Sequence, residues 1–260
     1  MSVTAPRHGI ALVREPSARL ADGLVTHIPR TPVNVDVARR QHEEYVATLR
    51  RAGWEVRYVP PAEDCPDSVF VEDTVVVCGS LAVLARPGAP ERRPEVAGTE
   101  QVVRELGLRV ARIEEPGMLD GGDVLQVGTT VYVGLGGRTN AEGIRQLGKL
   151  LASEGREVVD VPLGLVLHLK SAVTKLPDDS LMALPWLVDT TRLPAFRAVD
   201  ERPGCHLVLL GDDRVLIAAS APRTTALLER EGLTPIVVDV SEFEKLEASV
   251  TCLSVLIPAT

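Results

Sequence analysis

Near its C-terminal end the sequence runs Glu247-Ala248-Ser249-Val250-Thr251-Cys252-Leu253-Ser254, a cysteine five residues after an acid and just before the apolar Val255-Leu256-Ile257. A thiol at a strand edge is ordinary core packing. Other residues suggest chemistry instead. His168 is a lone histidine in the apolar run Leu165-Val166-Leu167-His168-Leu169-Lys170. Packing explains such a histidine too, yet imidazole is the side chain best matched to proton transfer near neutrality. Acids cluster in Asp67-Ser68-Val69-Phe70-Val71-Glu72-Asp73 and again in Leu119-Asp120-Gly121-Gly122-Asp123. Read as a strand, the first cluster puts Asp67, Val69, Val71 and Asp73 on one face and Glu72 on the other. Acids between apolar residues are costly to bury unless a cation meets them. The second cluster reads as a hairpin turn, its glycines also allowing a ligand close to the backbone. Thiol, histidine and carboxylates together point to a cysteine nucleophile acting on a cationic substrate. Arg92, Arg93 and Arg138 lie beside expected helix starts, where a guanidinium and a helix N-terminus can share a carboxylate.

The elements that must position these groups repeat. Helical periodicity starts at Asp36, Pro94, Asn140 and Pro222, and stops at Gly53, Gly107, Gly155 and Gly232. A strand pattern follows each stop: 54–59, 108–113, 157–161 and 236–240. Glycine suits a left-handed helix cap at such a junction. Further apolar strands are expected at 9–13, 75–78, 81–84, 131–133, 181–184 and 215–218. The long gap before Gly232 leaves room for a degenerate fifth helix within 193–200. A unit recurring about every 50 residues is a repeat architecture. Units of strand, strand, helix and strand can close into a propeller. A doubly wound sheet is the rival, but Gly134-Leu135-Gly136-Gly137 lacks the third glycine and the helix start of a dinucleotide fingerprint. No linker divides the chain, so one domain is expected over 1–260.

Composition excludes several classes. The chain has 260 residues, 45% hydrophobic and 25% charged, with a net charge of −8. That balance argues against a nucleic-acid partner and suits a cationic ligand. No apolar run approaches the roughly 20 residues of a membrane helix. Residues 1–7 hold no apolar leader segment. Cys65, Cys78, Cys205 and Cys252 are far apart, which reads as free thiols in a reducing cytoplasm. The five histidines show no metal-ligand spacing, and neither metal nor cofactor is expected.

Taken together, Asp67-Ser68-Val69-Phe70-Val71-Glu72-Asp73, Arg86-Pro87-Gly88-Ala89-Pro90-Glu91-Arg92-Arg93, Leu119-Asp120-Gly121-Gly122-Asp123, Arg138-Thr139-Asn140, Leu167-His168-Leu169-Lys170 and Thr251-Cys252-Leu253-Ser254 resemble the dimethylarginine dimethylaminohydrolases in order and spacing. The resemblance spans nearly the whole chain. It implies an α/β fold, the five-bladed α/β-propeller (pentein) of guanidine-modifying enzymes, with ββαβ blades around a central channel. It implies hydrolysis of dimethylarginine or monomethylarginine to citrulline and a methylated amine. It makes Cys252 the nucleophile, His168 the general acid and then base, and Asp120 the acid that orients His168. It implies that Glu72, Asp73 and Glu247 grip the guanidinium, and that Arg92 and Arg138 hold the α-carboxylate. Asp67 would take the α-amino group with the carbonyls of Leu24 and Leu246, Leu24 lying in a lid. Glu247 departs from the aspartate often found there, and no glycine precedes the nucleophile in Ala248-Ser249. Arginine deiminases and amidinotransferases share these features and remain rivals, although the expected helical insertion of the deiminases is missing. A silent methylarginine-binding protein is a further alternative. Relatives include monomers and homodimers, and zinc inhibition through Cys252 stays open.

Overall fold

In the computed structural model, residues 8–259 are described, and the stretch 1–7 read above for a leader lies outside them. Fifteen strands among the described residues form five three-stranded sheets. The first holds β1 (Gly9–Val13) and β2 (Glu55–Tyr58), joined by helix α1 (Val35–Arg51). The second holds β3 (Val75–Cys78), β4 (Leu81–Leu84) and β5 (Arg109–Arg112), with α2 (Val96–Glu105) before β5. The third holds β6 (Val124–Val127), β7 (Thr130–Leu135) and β8 (Glu157–Pro162), with α3 (Ala141–Ala152) before β8. The fourth holds β9 (Val173–Lys175), β10 (Leu181–Ala183) and β11 (Phe196–Ala198). The fifth holds β12 (Val208–Gly211), β13 (Arg214–Ala218) and β14 (Thr234–Val238), with α4 (Pro222–Arg230) before β14. A short helix, α5 (Ser241–Glu244), leads toward β15 (Val255–Pro258).

Every sheet has the same wiring. Two strands pair antiparallel and the third returns parallel to the second. A parallel return needs a crossover, which an α-helix supplies in four of the five sheets. The four stop glycines all have positive φ, at 99°, 76°, 68° and 82° for Gly53, Gly107, Gly155 and Gly232. Only glycine takes that conformation without strain, so it ends each helix and aims the chain back at the sheet. This five-sheet repeat is the propeller-like α/β architecture expected.

Some expectations need correction. Asn34, not Asp36, caps α1: its Oδ1 accepts from the Asp36 and Val37 N–H groups, both at 3.1 Å. Pro94 lies inside a 3-10 segment, Pro90–Glu95, that precedes α2. The fourth sheet has no α-helix; residues 193–200 contain β11, and a 3-10 turn at Thr190–Arg192 makes the crossover. The last strand, β15, does not belong to the last sheet. It pairs antiparallel with β1, so the C-terminal strand completes the first sheet and closes the ring.

Apolar side chains fill the spaces between neighbouring sheets in four clusters rather than one central mass. Polar residues are thereby left free to face the axis. Among the described residues no helix is long and apolar enough to cross a membrane, and all four cysteines are unbridged and buried.

Candidate active site

The chemistry-bearing residues sit on short 3-10 turns that enter the sheets. The first acid cluster is not a strand: Glu72 and Asp73 lie on the turn Val71–Thr74 before β3, and both are buried. A turn, unlike a strand, lets consecutive acids share one environment. Fully buried Arg14 fixes the loop ahead of it, donating to the carbonyls of Pro60, Ser68 and Glu95 at 3.0, 3.1 and 2.8 Å. Asp120 immediately precedes the turn Gly121–Asp123 before β6, and Asp123 is its last residue. His168 lies in a loop just before the turn Leu169–Ser171, not inside a strand. Cys252 lies on the turn Val250–Leu253, held where the Tyr45 hydroxyl of α1 donates to the Val250 carbonyl at 2.9 Å.

The two glycines of the Asp-Gly-Gly-Asp turn are needed for close packing of the protein upon itself. A Cβ on Gly121 would overlap the Glu72 carbonyl, and one on Gly122 would lie 2.7 Å from both Asp73 Oδ1 and His168 Nδ1. The Gly122 N–H donates to Asp73 Oδ1 at 2.8 Å. Asp120 Oδ1 accepts from the Gly88 N–H at 2.9 Å, and its Oδ2 lies 3.0 Å from His168 Nε2. His168 Nδ1 lies 3.8 Å from Asp73 Oδ1. The imidazole is therefore bracketed by two carboxylates.

The charges follow from that geometry. Burial opposes a charged His168, but Asp73, the Asp120 hydrogen bond and Asp123 outweigh it and push its pKa up to about 9. Burial also opposes the Asp73 anion, yet His168 and Arg92 hold its carboxyl well below the usual range. Burial raises Glu72 to about 7 despite Lys170, whose Nζ lies 2.7 Å from its Oε1. Glu72 Oε2 is buried with no hydrogen-bond partner, an unmet demand for a donor. Burial, with Glu72 and Asp73, pushes the Cys252 thiol up to about 12.

Leu24, Asp67, Asp73, Arg92, Arg138, His168, Leu246, Glu247 and Cys252 meet around one cavity. Its volume is only about 20 Å³, room for about one water. The chain near Leu24 covers it. The Leu24 N–H donates to both Asp67 oxygens at 3.1 and 3.0 Å, and the Thr26 and His27 N–H groups donate to the Glu247 carboxylate. Glu247 thus reaches the cavity wall with its carboxylate engaged by the backbone of Thr26 and His27, at a left-handed backbone with φ 59°. Arg92 is likewise committed. It binds Asp73 at 2.6 Å and Glu95 through Nε and Nη2 at 3.1 and 2.9 Å. Arg138 has a looser contact, 3.6 Å to Asp120.

A larger cavity of about 480 Å³ lies against Glu72, Gly121, Lys170 and Thr251, with valines and leucines making up nearly half of its lining residues. The convergent charges, not volume, mark the candidate site. Asp73, Asp120 and His168 bring ligand atoms within 4.8 Å of one another. Those atoms already serve Gly122, Arg92 and each other, and Arg92 and Arg138 set cations beside them, a poor seat for a metal ion.

No role was assigned from the sequence to Asp123, Glu95 or Lys170. Asp123 Oδ1 accepts from the Leu169 N–H at 2.9 Å and its Oδ2 from the Thr139 hydroxyl at 2.6 Å, which seats the turn after His168. Its position bracketing the glycines was the available signal. Glu95 and Lys170 give none beyond ordinary charge.

A family model described as arginine deiminase matches residues 58–203. An N(G),N(G)-dimethylarginine dimethylaminohydrolase of Streptomyces coelicolor is 55% identical over 246 residues, 94% of this chain and 95% of that protein. Its counterpart in Pseudomonas aeruginosa is 35% identical over 94% of this chain and 97% of that protein. Two solved structures superpose closely. A dimethylarginine dimethylaminohydrolase histidine-to-glycine variant, in adduct with S-methyl-L-thiocitrulline, gives a TM-score of 0.90 at 32% identity over 96% of this chain and all of that one. A cysteine-to-serine mutant of the Pseudomonas aeruginosa enzyme with citrulline gives 0.89 at 33% identity over 96% and 99%.

Proposed function

Because this chain belongs to the dimethylarginine dimethylaminohydrolase family, we propose that it hydrolyses Nω,Nω-dimethyl-L-arginine, and the monomethyl form, to L-citrulline and the methylated amine. The observation that carries this reading is a buried thiol beside an imidazolium and two carboxylates, one of them with an unpartnered oxygen.

A guanidinium is planar, positive and resonance-stabilised, hence a poor electrophile. Glu72 and Asp73 offer it anionic contacts that place its carbon against Cys252 Sγ, so little orientational freedom is left to lose. The free thiol holds its proton, since the same acids oppose a thiolate. A bound cation reverses that field and lowers the thiol pKa, so the S–H proton leaves to solvent as substrate binds and returns to the sulfur when citrulline departs. Thiolate attack forms a C–S bond, and the C–N bond to the methylated nitrogen breaks as His168 supplies a proton. The intermediate is an S-alkylthiouronium on Cys252. Neutral His168 then takes a proton from water, which adds to the carbon; the C–S bond breaks and citrulline leaves. Asp120 holds the imidazole and favours its charged form. Asp67, with the carbonyls of Leu24 and Leu246, is assigned the α-amino group. Arg138 is assigned the α-carboxylate, with Arg92 adding charge at the cavity wall. Glu247 contributes by holding the lid.

The test is product analysis. Purified protein given dimethylarginine is expected to release dimethylamine and citrulline in equal amounts, with little ammonia from arginine. Faster ammonia release from arginine would favour a deiminase instead.

A further inference from the structure

Each of the five sheets is entered through a 3-10 turn: Val71–Thr74, Gly121–Asp123, Leu169–Ser171, Arg202–Cys205 and Val250–Leu253. Four of these regions supply the groups discussed so far, namely Glu72 and Asp73, Asp120, His168, and Cys252. The turn before β12 has supplied none. His206 directly follows it, is 7% exposed, and has its Nδ1 3.1 Å from Thr251 Oγ1. Thr251 Oγ1 in turn lies 3.9 Å from Cys252 Sγ. This contact ties the turn before β12 to the nucleophile's own turn.

We propose that His206 is a positioning residue for Cys252: its Nδ1–H donates to Thr251 Oγ1 and so turns the threonine hydroxyl hydrogen toward the sulfur. The proposal rests on the reading of Cys252 as the nucleophile. A threonine hydroxyl carries one hydrogen and two lone pairs. With the imidazole as donor, that hydrogen is left for Sγ. With the imidazole as acceptor, it would point away from Sγ. Burial, His168 and Lys170 push the His206 pKa down to about 4, so the ring is neutral and one nitrogen donates. Its rim meets a cavity of about 200 Å³ whose wall also carries the titratable His27, Arg202, Glu244 and Glu247.

The device answers a specific problem. Glu72 and Asp73 are needed for the substrate cation but disfavour the thiolate. A fixed cation beside the sulfur would help the thiolate and repel the guanidinium. A neutral hydroxyl, pinned by a neutral imidazole, stabilises sulfur without competing for the acids.

Iodoacetamide is uncharged and needs only the thiol, so its rate of reaction at Cys252, followed by peptide mass spectrometry from pH 6 to 11, reads thiolate formation without turnover. A hydrogen bond to an anion corresponds to roughly one pH unit or more. With the thiol at about 12, the rate over this range follows the thiolate fraction, and His206→Leu and Thr251→Val are expected to lower it about tenfold at every pH and to lower kcat/KM about tenfold at neutral pH. Thr251→Ser, which keeps a hydroxyl, and His206→Asn, whose amide N–H can stand where Nδ1 stands, are expected to restore the profile. His206→Gln reaches the Nε2 position instead and is expected not to. The Asn–Gln comparison carries the test if the leucine variant fails to fold. Coincident profiles for wild type, Thr251→Val and the His206 variants would overturn the proposal, as would a fall in Thr251→Val with none in His206→Gln. Wild-type protein inactive on dimethylarginine would overturn the functional reading alone, because the alkylation needs no substrate.

Discussion

His168 is bracketed by Asp120 at 3.0 Å and Asp73 at 3.8 Å, and the two acids do different work. Asp120 is fully buried and also held by the Gly88 N–H, so it fixes the ring. Asp120→Asn keeps that shape and removes the charge. The kcat for dimethylarginine is expected to fall by about 10²–10⁴-fold, the usual range for impaired proton transfer. The alkaline limb of kcat should also move to lower pH, because His168 gives up its proton sooner without the Asp120 anion; an unmoved limb would assign it to another group. Glu72 governs the acid side. Its pKa is raised to about 7, so it is an anion above that pH and neutral below. The guanidinium needs the anion, hence KM should rise as pH falls through about 7. Glu72→Gln should give a high KM that no longer varies there. Of this residue-scale picture, the sequence showed the identities and little of the pairing. Arg92 reads as a ligand of the substrate α-carboxylate, and the structure adds that it is bound to Asp73 and Glu95. Nothing in chain spacing reveals which buried acid a given arginine will meet.

The turns are the elements that make the site, and they were the least legible part of the chain. Three- or four-residue 3-10 turns have no periodicity to detect, so Asp67–Asp73 reads as a strand and Leu165–Lys170 only as an apolar run. The Asp-Gly-Gly-Asp turn was visible as a turn, but not the reason for its glycines. Gly122 accommodates Asp73 and His168 at distances no Cβ tolerates. Gly122→Ala is therefore expected to destabilise the protein by about 1–3 kcal/mol, the usual cost of overpacking, and to lower kcat by displacing His168; a neutral melting temperature would contradict the packing argument. The lid offers a second test. Glu247 accepts the Thr26 and His27 N–H groups, so Glu247→Ala should raise KM several-fold through a loosened cover while kcat changes little. A collapse of kcat at unchanged KM would return Glu247 to the reacting atoms, where the family resemblance had placed it.

The whole molecule was the most legible level, because helix periodicity ending in glycine recurs and survives in the positive φ of Gly53, Gly107, Gly155 and Gly232. The fourth sheet escaped this reading, since its crossover contains no α-helix to leave a period. Ring closure escaped it too: β15 pairs with β1 across almost the full chain length, a contact without local signature. The closure has a functional side, because Cys252 lies just before β15 and is delivered by the same act that completes the first sheet. Deleting residues 255–260 should abolish the cooperative thermal transition together with activity; a retained sharp melt would show that the ring does not depend on its last strand. The central claim, covalent catalysis at Cys252, is tested most directly by mass spectrometry of protein quenched in acid during turnover of dimethylarginine. The predicted result is a thiouronium adduct on the Cys252 peptide that accumulates within one turnover and is missing from Cys252→Ser. Undiminished turnover with Cys252 unmodified at every quench time would contradict it.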